Sequence, residues 1–381
     1  MRIQRRSFIA ALAAMAACGA RCAETATPSK EELLKWFLDN VYGHAPIGRP
    51  KDMTFAGNSI VFGGGKMKVD LTVALPANAS KEKPCPVLVM GDFRTWNNGM
   101  RDDASSKKQK QQQDDIDAFV VSRGYAIVHY NLNEATPDQP RRRELEALKK
   151  AGKPLPPYAY GLFEVYGGEK DRTGSSWGTI RSWAWCHSRV LDWIEAQPML
   201  DAKRVAVLGH SRLGKTAICA GVTDPRFKVV YSNASGCGGA KLNHVDLPKS
   251  ESIDVISGPR RFHYWFCRNF RKYAGREMSM DFDQHELVAL MAPRAVAIAS
   301  ASEDAWAGQR GEFCSAALAS PVWELYGQKG LETRGRGFPR AGDAYQDGCI
   351  SYHVRAGKHN LTPEDWTRYM DFADRVMGKK K

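Results

Sequence analysis

The chain carries a series of short apolar runs with almost no polar interruption. They are "CPVLVMGDF" (85–93), "YAIVHYNL" (125–132), "RVAVLGH" (204–210), "FKVVYSNAS" (227–235), "RAVAIASAS" (294–302) and "CISYHVRAG" (349–357). A strand with one wet face alternates apolar and polar residues, so a run apolar at successive positions must be covered on both faces. Helical patterns with apolar residues three and four apart lie between several of these runs, at 178–197, 213–224 and 364–378. That order predicts an α/β protein: a mostly parallel central sheet with helices on both faces, a three-layer sandwich. "VDLTVALPA" (69–77) alternates like a half-buried strand, and residues 29–41 read as an amphipathic helix capped by Ser29. No internal repeat or long linker interrupts the pattern, so residues 27–381 are read as one domain. The Pro- and Gly-rich stretch around 135–177 is read as a surface insertion shaping a rim.

Residues 1–23 stand apart. A basic start, an apolar middle of about a dozen residues and small residues after it describe an export signal, too short to span a bilayer. Arg5 and Arg6, followed by Ser7 and Phe8, give it a twin-arginine character, with a Sec-type signal as the alternative. "MAAC" ending at Cys18 is a weak lipid-attachment box. Expected localisation is periplasmic or secreted, with a lipid anchor at Cys18 as a variant, no stable membrane insertion, and a monomer. Without Arg2, Arg5, Arg6 and Arg21 the formal charge falls from +13 to +9. The remaining excess sits in clusters such as "KKQK" and "RRRELEALKK" and reads as a solvated face, not a nucleic-acid surface. Seven cysteines follow the leader: Cys85, Cys186, Cys219, Cys237, Cys267, Cys314 and Cys349. An odd number leaves at least one unpaired, and none shows CxxC spacing. "HELVA" at His285 lacks the second histidine of a zinc helix. No metal or cofactor is expected.

"VLGHSRLGKT" (207–216) places Ser211 between a buried strand and a helix. An α/β-hydrolase holds its nucleophile on such a turn, where small neighbours let the backbone pass. Gly209 fits. The usual glycine two residues after the serine is Leu213, with Gly214 next, so the motif is weak alone and Ser211 could be a simple helix cap. The partners strengthen it, because this fold needs an acid and then a histidine after later strands. "AIASASEDAWAG" ends in Glu303 and Asp304, and "SYHVRAGKHNLT" is followed by His359. Spacing does not decide between the two acids. His353 lies inside the strand pattern and reads as a core histidine. His210 abuts Ser211, and a neighbour in the elbow is expected to point away.

"GHSRLGKT" resembles the G-x-S-R-x-G-K motif of carbohydrate esterase family 15, the glucuronoyl esterases. "WGTIRSWAWCHSRVLDWIE", "SNASGCGGAKL", "HYWFCRNF", "DFDQHELVALMAPRAVAIAS", "EDAWAGQRGEF" and "GKHNLTPEDWTRYMDF" are similar to successive blocks of its bacterial branch. The resemblance implies an α/β-hydrolase fold, Ser211 as nucleophile, His359 as base and Arg212 as an oxyanion donor. It implies sugar contacts at Lys215, at Trp306 and, more loosely, at Glu251. Trp306, two residues after Asp304, favours Asp304 over Glu303 as the acid. Many members carry a glutamate in a "SNESG" block where this chain has Ala234. A cysteine that forms a disulfide in fungal members is replaced by His210, and Cys237 with Cys314 is one pairing left open. The implied reaction is hydrolysis of esters between 4-O-methyl-glucuronoyl groups of glucuronoxylan and lignin-type alcohols. An acetyl xylan or general carboxylesterase of the same fold is one alternative, and an inactive polysaccharide-binding relative is another.

Overall fold

The computed structural model describes residues 28–93, 104–138, 150–151, 158, 160–167, 171–245, 247–258 and 261–378. Residues 1–23, including Cys18, lie outside these residues, as does most of the "RRRELEALKK" cluster. Ten strands form the sheet: β1 (Thr54–Phe55), β2 (Ser59–Phe62), β3 (Met67–Ala74), β4 (Cys85–Asp92), β5 (Ala126–Asn131), β6 (Leu200–His210), β7 (Phe227–Asn233), β8 (Ala295–Ala301), β9 (Ala344–Tyr345) and β10 (Ile350–Arg355). Their order is β1-β2-β3-β5-β4-β6-β7-β8-β10-β9. The six strands from β5 to β10 in that order pair in parallel. The edges, β1 to β3 against β5 and β9 against β10, are antiparallel.

The buried runs divide by parity. Val87 and Val89 of β4, with Val205 and Val207 of β6, face one core, which also holds Trp183, Leu191, Ala217 and Ile218. Leu88, Ala206 and Leu208 face the other, with Val120, Trp366, Tyr369 and Phe372. The first set of helical residues belongs to α3 (Thr179–Glu195) and α4 (Arg212–Thr223). The second belongs to α2 (Ala104–Ser122) and α6 (Pro363–Ala373). The helix α1 (Lys30–Phe37) starts at a capping box between Ser29 and Glu32. The last helix needed below is α5 (Gln309–Ala319).

Three sequence expectations change. "KKQK", read only as a charge cluster, belongs to the helix α2. The 135–177 stretch is not wholly a surface feature, since Tyr158, Leu162 and Phe163 are buried in the first core beside Trp177. The seven described cysteines are all unpaired: Cys237 is buried and Cys314 exposed, so the pairing between them does not form. No described helix is long and apolar enough to cross a membrane.

Candidate active site

The C-terminal ends of β6 and β7 meet at Ser211, and the loop after β10 reaches the neighbouring His210 through His359. This residue follows β6, precedes α4, and has φ 60° and ψ −126°. A non-glycine residue there costs of the order of 1–3 kcal/mol and persists only where its surroundings fix it. They do so here. The Ser211 N–H donates to the Asn233 carbonyl at 2.8 Å, and the Ser211 carbonyl accepts from Gly214 N at 2.8 Å. Gly209 is obligatory, because a Cβ on it would lie 1.8 Å from the Leu213 carbonyl oxygen. The turn therefore closes through Gly209 and Gly214, and Leu213 needs no glycine's freedom. Arg212 opens α4, where the first backbone N–H groups have no intrahelical acceptor.

Asp304 follows β8, and His359 sits in the loop after β10. His359 Nδ1 and Asp304 Oδ2 are 2.5 Å apart. Burial pushes the Asp304 carboxyl up, but the hydrogen bond and charge of His359 outweigh it and hold Asp304 below the usual carboxylate range. Asp304 is thus the ionised acceptor and Nδ1–H the donor; in the neutral form of the ring, that tautomer leaves the Nε2 lone pair free. Asp304 Oδ1 also accepts from the Ala307 N–H at 3.2 Å. Glu303 is exposed, and its backbone N–H donates to the Gly357 carbonyl.

The histidine loop is held from within. Arg355, 3% exposed, donates to the carbonyls of Ala356, Lys358 and Asn360 at 2.9, 2.6 and 2.5 Å. Its Nε donates to Asp365 Oδ2 at 2.9 Å, which also accepts from Thr362 N at 2.8 Å. Asp365 Oδ1 meets the buried His353 Nε2 at 2.9 Å, so His353 is a core histidine. His210 does not point away from the site. Its ring lies 4.4 Å from that of His359 and its Nδ1 meets Asn233 Oδ1 at 2.7 Å. Burial, then the charge of His359, lower its pKa to about 4, so it packs against His359 as a neutral ring.

On the other side, the Arg212 guanidinium pairs with Asp138 and lies 4.7 Å from the Trp265 ring. Lys215 is buried and donates to Glu251 Oε2 at 2.6 Å and to the Ser235 carbonyl. Glu251 Oε1 accepts from Trp306 Nε1 at 2.8 Å, while the Trp306 ring is 40% exposed. Lys215, Glu251 and Trp306 are therefore one hydrogen-bonded set, and Trp306 places it two residues from Asp304.

A sequence profile described as glucuronyl esterase of fungi matches residues 157–327. A carbohydrate esterase from an unknown prokaryotic organism is 42% identical over 217 residues, which is 56% of this chain and about half of that relative (49%). A promiscuous family 15 carbohydrate esterase from a marine bacterial metagenome is 30% identical, with a TM-score of 0.72 over 91% of both chains. A glucuronoyl esterase from Solibacter usitatus is 32% identical, with a TM-score of 0.77 over 92% of this chain and 93% of its own. The chain belongs to the glucuronoyl esterase family.

Within this family member, Ala234 follows β7 with φ 46° and is buried. Alanine offers no oxygen, so the carboxylate bonded to His359 is that of Asp304. The turn after Ala234 is held by Glu312 of α5, a residue the sequence reading missed. Its Oε1 accepts from Ser235 N, Ser235 Oγ and Gly236 N at 2.7, 3.0 and 3.0 Å, and Oε2 from Ser300 Oγ at 2.6 Å. The available signal was a lone acid in the otherwise small and apolar "GEFCSAALA". Burial outweighs these bonds and raises Glu312 to about 7. A raised carboxyl contributes fully below its unfolded value, and that contribution is lost as pH rises through the folded one. Glu312→Gln keeps an acceptor for the Ser235 and Gly236 N–H groups and cannot ionise. The variant is therefore expected to gain thermal midpoint relative to the wild type as pH rises from about 4.5 to 7. Parallel melting curves across that window would show a constant gap if Glu312 does not titrate there.

Proposed function

We propose that this protein is a serine esterase that hydrolyses esters of 4-O-methyl-glucuronoyl groups with lignin-type alcohols. In this reading His359 Nε2 takes the Ser211 proton as Ser211 Oγ attacks the C6 carbonyl, and Asp304 fixes the tautomer and stabilises the imidazolium. Arg212, through its side chain and its backbone N–H at the start of α4, faces the oxyanion. Losing one such donor costs about 10² to 10³ in rate. The alcohol leaves with the proton from His359, and water then cleaves the acyl-enzyme by the same steps. Lys215, Glu251 and Trp306 would hold the sugar.

The observation that carries the reading is the 2.5 Å His359–Asp304 contact, with the His359 ring 4.4 Å from that of His210, the residue before the strained Ser211. The site residues supply acid, base, nucleophile and donor, so the mechanism needs no further group. Family membership supports the substrate class, and the leader-like residues 1–23 support export to where plant polymers are met. Benzyl glucuronate is expected to be hydrolysed with a higher kcat/KM than 4-nitrophenyl acetate. A clear preference for the acetate would replace this reading with that of a general or acetyl esterase.

A further inference from the structure

The contact between Arg212 and Asp138 has no part in the mechanism above. Asp138 pairs with Arg212 through Oδ2 and accepts from Trp265 Nε1 through Oδ1 at 2.7 Å. The Arg212 guanidinium lies 4.7 Å from the Trp265 ring and 5.4 Å from Phe262, and these two rings stack at 3.8 Å with an interplanar angle of 5°. Asp138 stands on a fixed platform. Its N–H donates to Asn133 Oδ1 at 3.1 Å, and two residues earlier the buried Thr136 holds Ser182 Oγ at 2.6 Å and accepts from Trp183 Nε1 at 2.8 Å. The Asp138 side chain is 15% exposed and that of Arg212 31%.

The chemistry of the reaction makes this pairing consequential. The ester substrate is neutral, the tetrahedral intermediate carries one negative charge on one oxygen, and the acid product is a carboxylate. A guanidinium without a counter-charge binds carboxylates tightly, often with two parallel N–H···O bonds. Such binding would hold the product as well as the transition state, and only interactions stronger in the transition state raise the rate. A carboxylate already on the guanidinium opposes a second one by repulsion, while a single oxyanion oxygen can still accept from an N–H not used by Asp138.

We propose, on the esterase reading above, that Asp138 is a positioning residue that fixes Arg212 against Trp265 and offsets its charge, so that the anionic glucuronate product is released. Asp138→Asn keeps the shape and an acceptor for Trp265 Nε1 and removes the charge. It is expected to lower kcat on benzyl glucuronate about tenfold and to tighten inhibition by free glucuronate about tenfold, with little rise in KM. Asp138→Glu, which keeps the charge, is expected to hold the inhibition constant near that of the wild type. Adding Arg212→Met to Asp138→Asn is expected to abolish the tightening, because the effect acts through Arg212. An inhibition constant for glucuronate that Asp138→Asn leaves unchanged or weakens overturns the proposal. Calorimetric titration of glucuronate into wild type, Asp138→Asn and Asp138→Glu measures the same difference without turnover. A wild type inert on the ester would thus count against the esterase reading alone, while the titration still decides the role of Asp138.

Discussion

Ser211→Ala is expected to lower kcat on benzyl glucuronate by about 10⁴- to 10⁶-fold without loss of fold. The two halves of that expectation have separate physical grounds. Removing the hydroxyl deletes the atom that would bond to the carbonyl carbon, and the remaining donors can supply only a residual rate. The fold is preserved because the Ser211 side chain caps nothing in α4, so no buried donor or acceptor is orphaned. The turn is fixed by backbone bonds from Ser211 to Asn233 and Gly214, which alanine makes equally well. Serine and alanine also bear the positive φ at similar cost. The check is a rate measured beside a melting curve. An alanine variant within about tenfold of the wild type would remove Ser211 from the mechanism. A wild type and a variant equally inert on every ester, yet both bound to glucuronoxylan, would favour a binding protein.

Much of the fold was legible because burial on both faces leaves a mark in the sequence. A strand such as β8, buried at all seven positions, is apolar at all but Ser300, whose hydroxyl is satisfied by Glu312. The antiparallel edge strands β1 and β9 have two residues each and leave no such mark. The amphipathic pattern of α2 is weak, and its first residues read as a charge cluster. The candidate site could be read where this fold calls for a residue type at a strand end, as at Ser211, Asp304 and His359. It was illegible where a residue works through geometry from a distance in sequence. Arg355 was read only as part of a strand, yet it folds back on three carbonyls of the loop bearing His359. Asp138 lies 74 residues from Arg212 in the chain, and no spacing rule joins them. His210 was expected to turn away because elbow neighbours alternate in direction. The ring-to-ring contact with His359 depends instead on Asn233 drawing its Nδ1 inward.

The choice between two adjacent acids is the sharpest case of that limit, and it yields the second large effect. Asp304→Asn is expected to lower kcat by about 10⁴-fold at neutral pH, whereas Glu303→Ala should stay within about twofold. Asparagine fills the same space, but its amide can donate to His359 Nδ1 and drive the ring proton onto Nε2. That nitrogen then has no lone pair to accept the Ser211 proton, and the imidazolium loses its counter-charge. Glu303 offers no such contact: its side chain is exposed, and the bond it makes to Gly357 is through the backbone, which alanine retains. Ala234 makes the loss more severe, because no carboxylate at the end of β7 stands ready to take over. Equal losses in the two variants, or a greater loss at Glu303, would show that the 2.5 Å contact is not the one that orients the base.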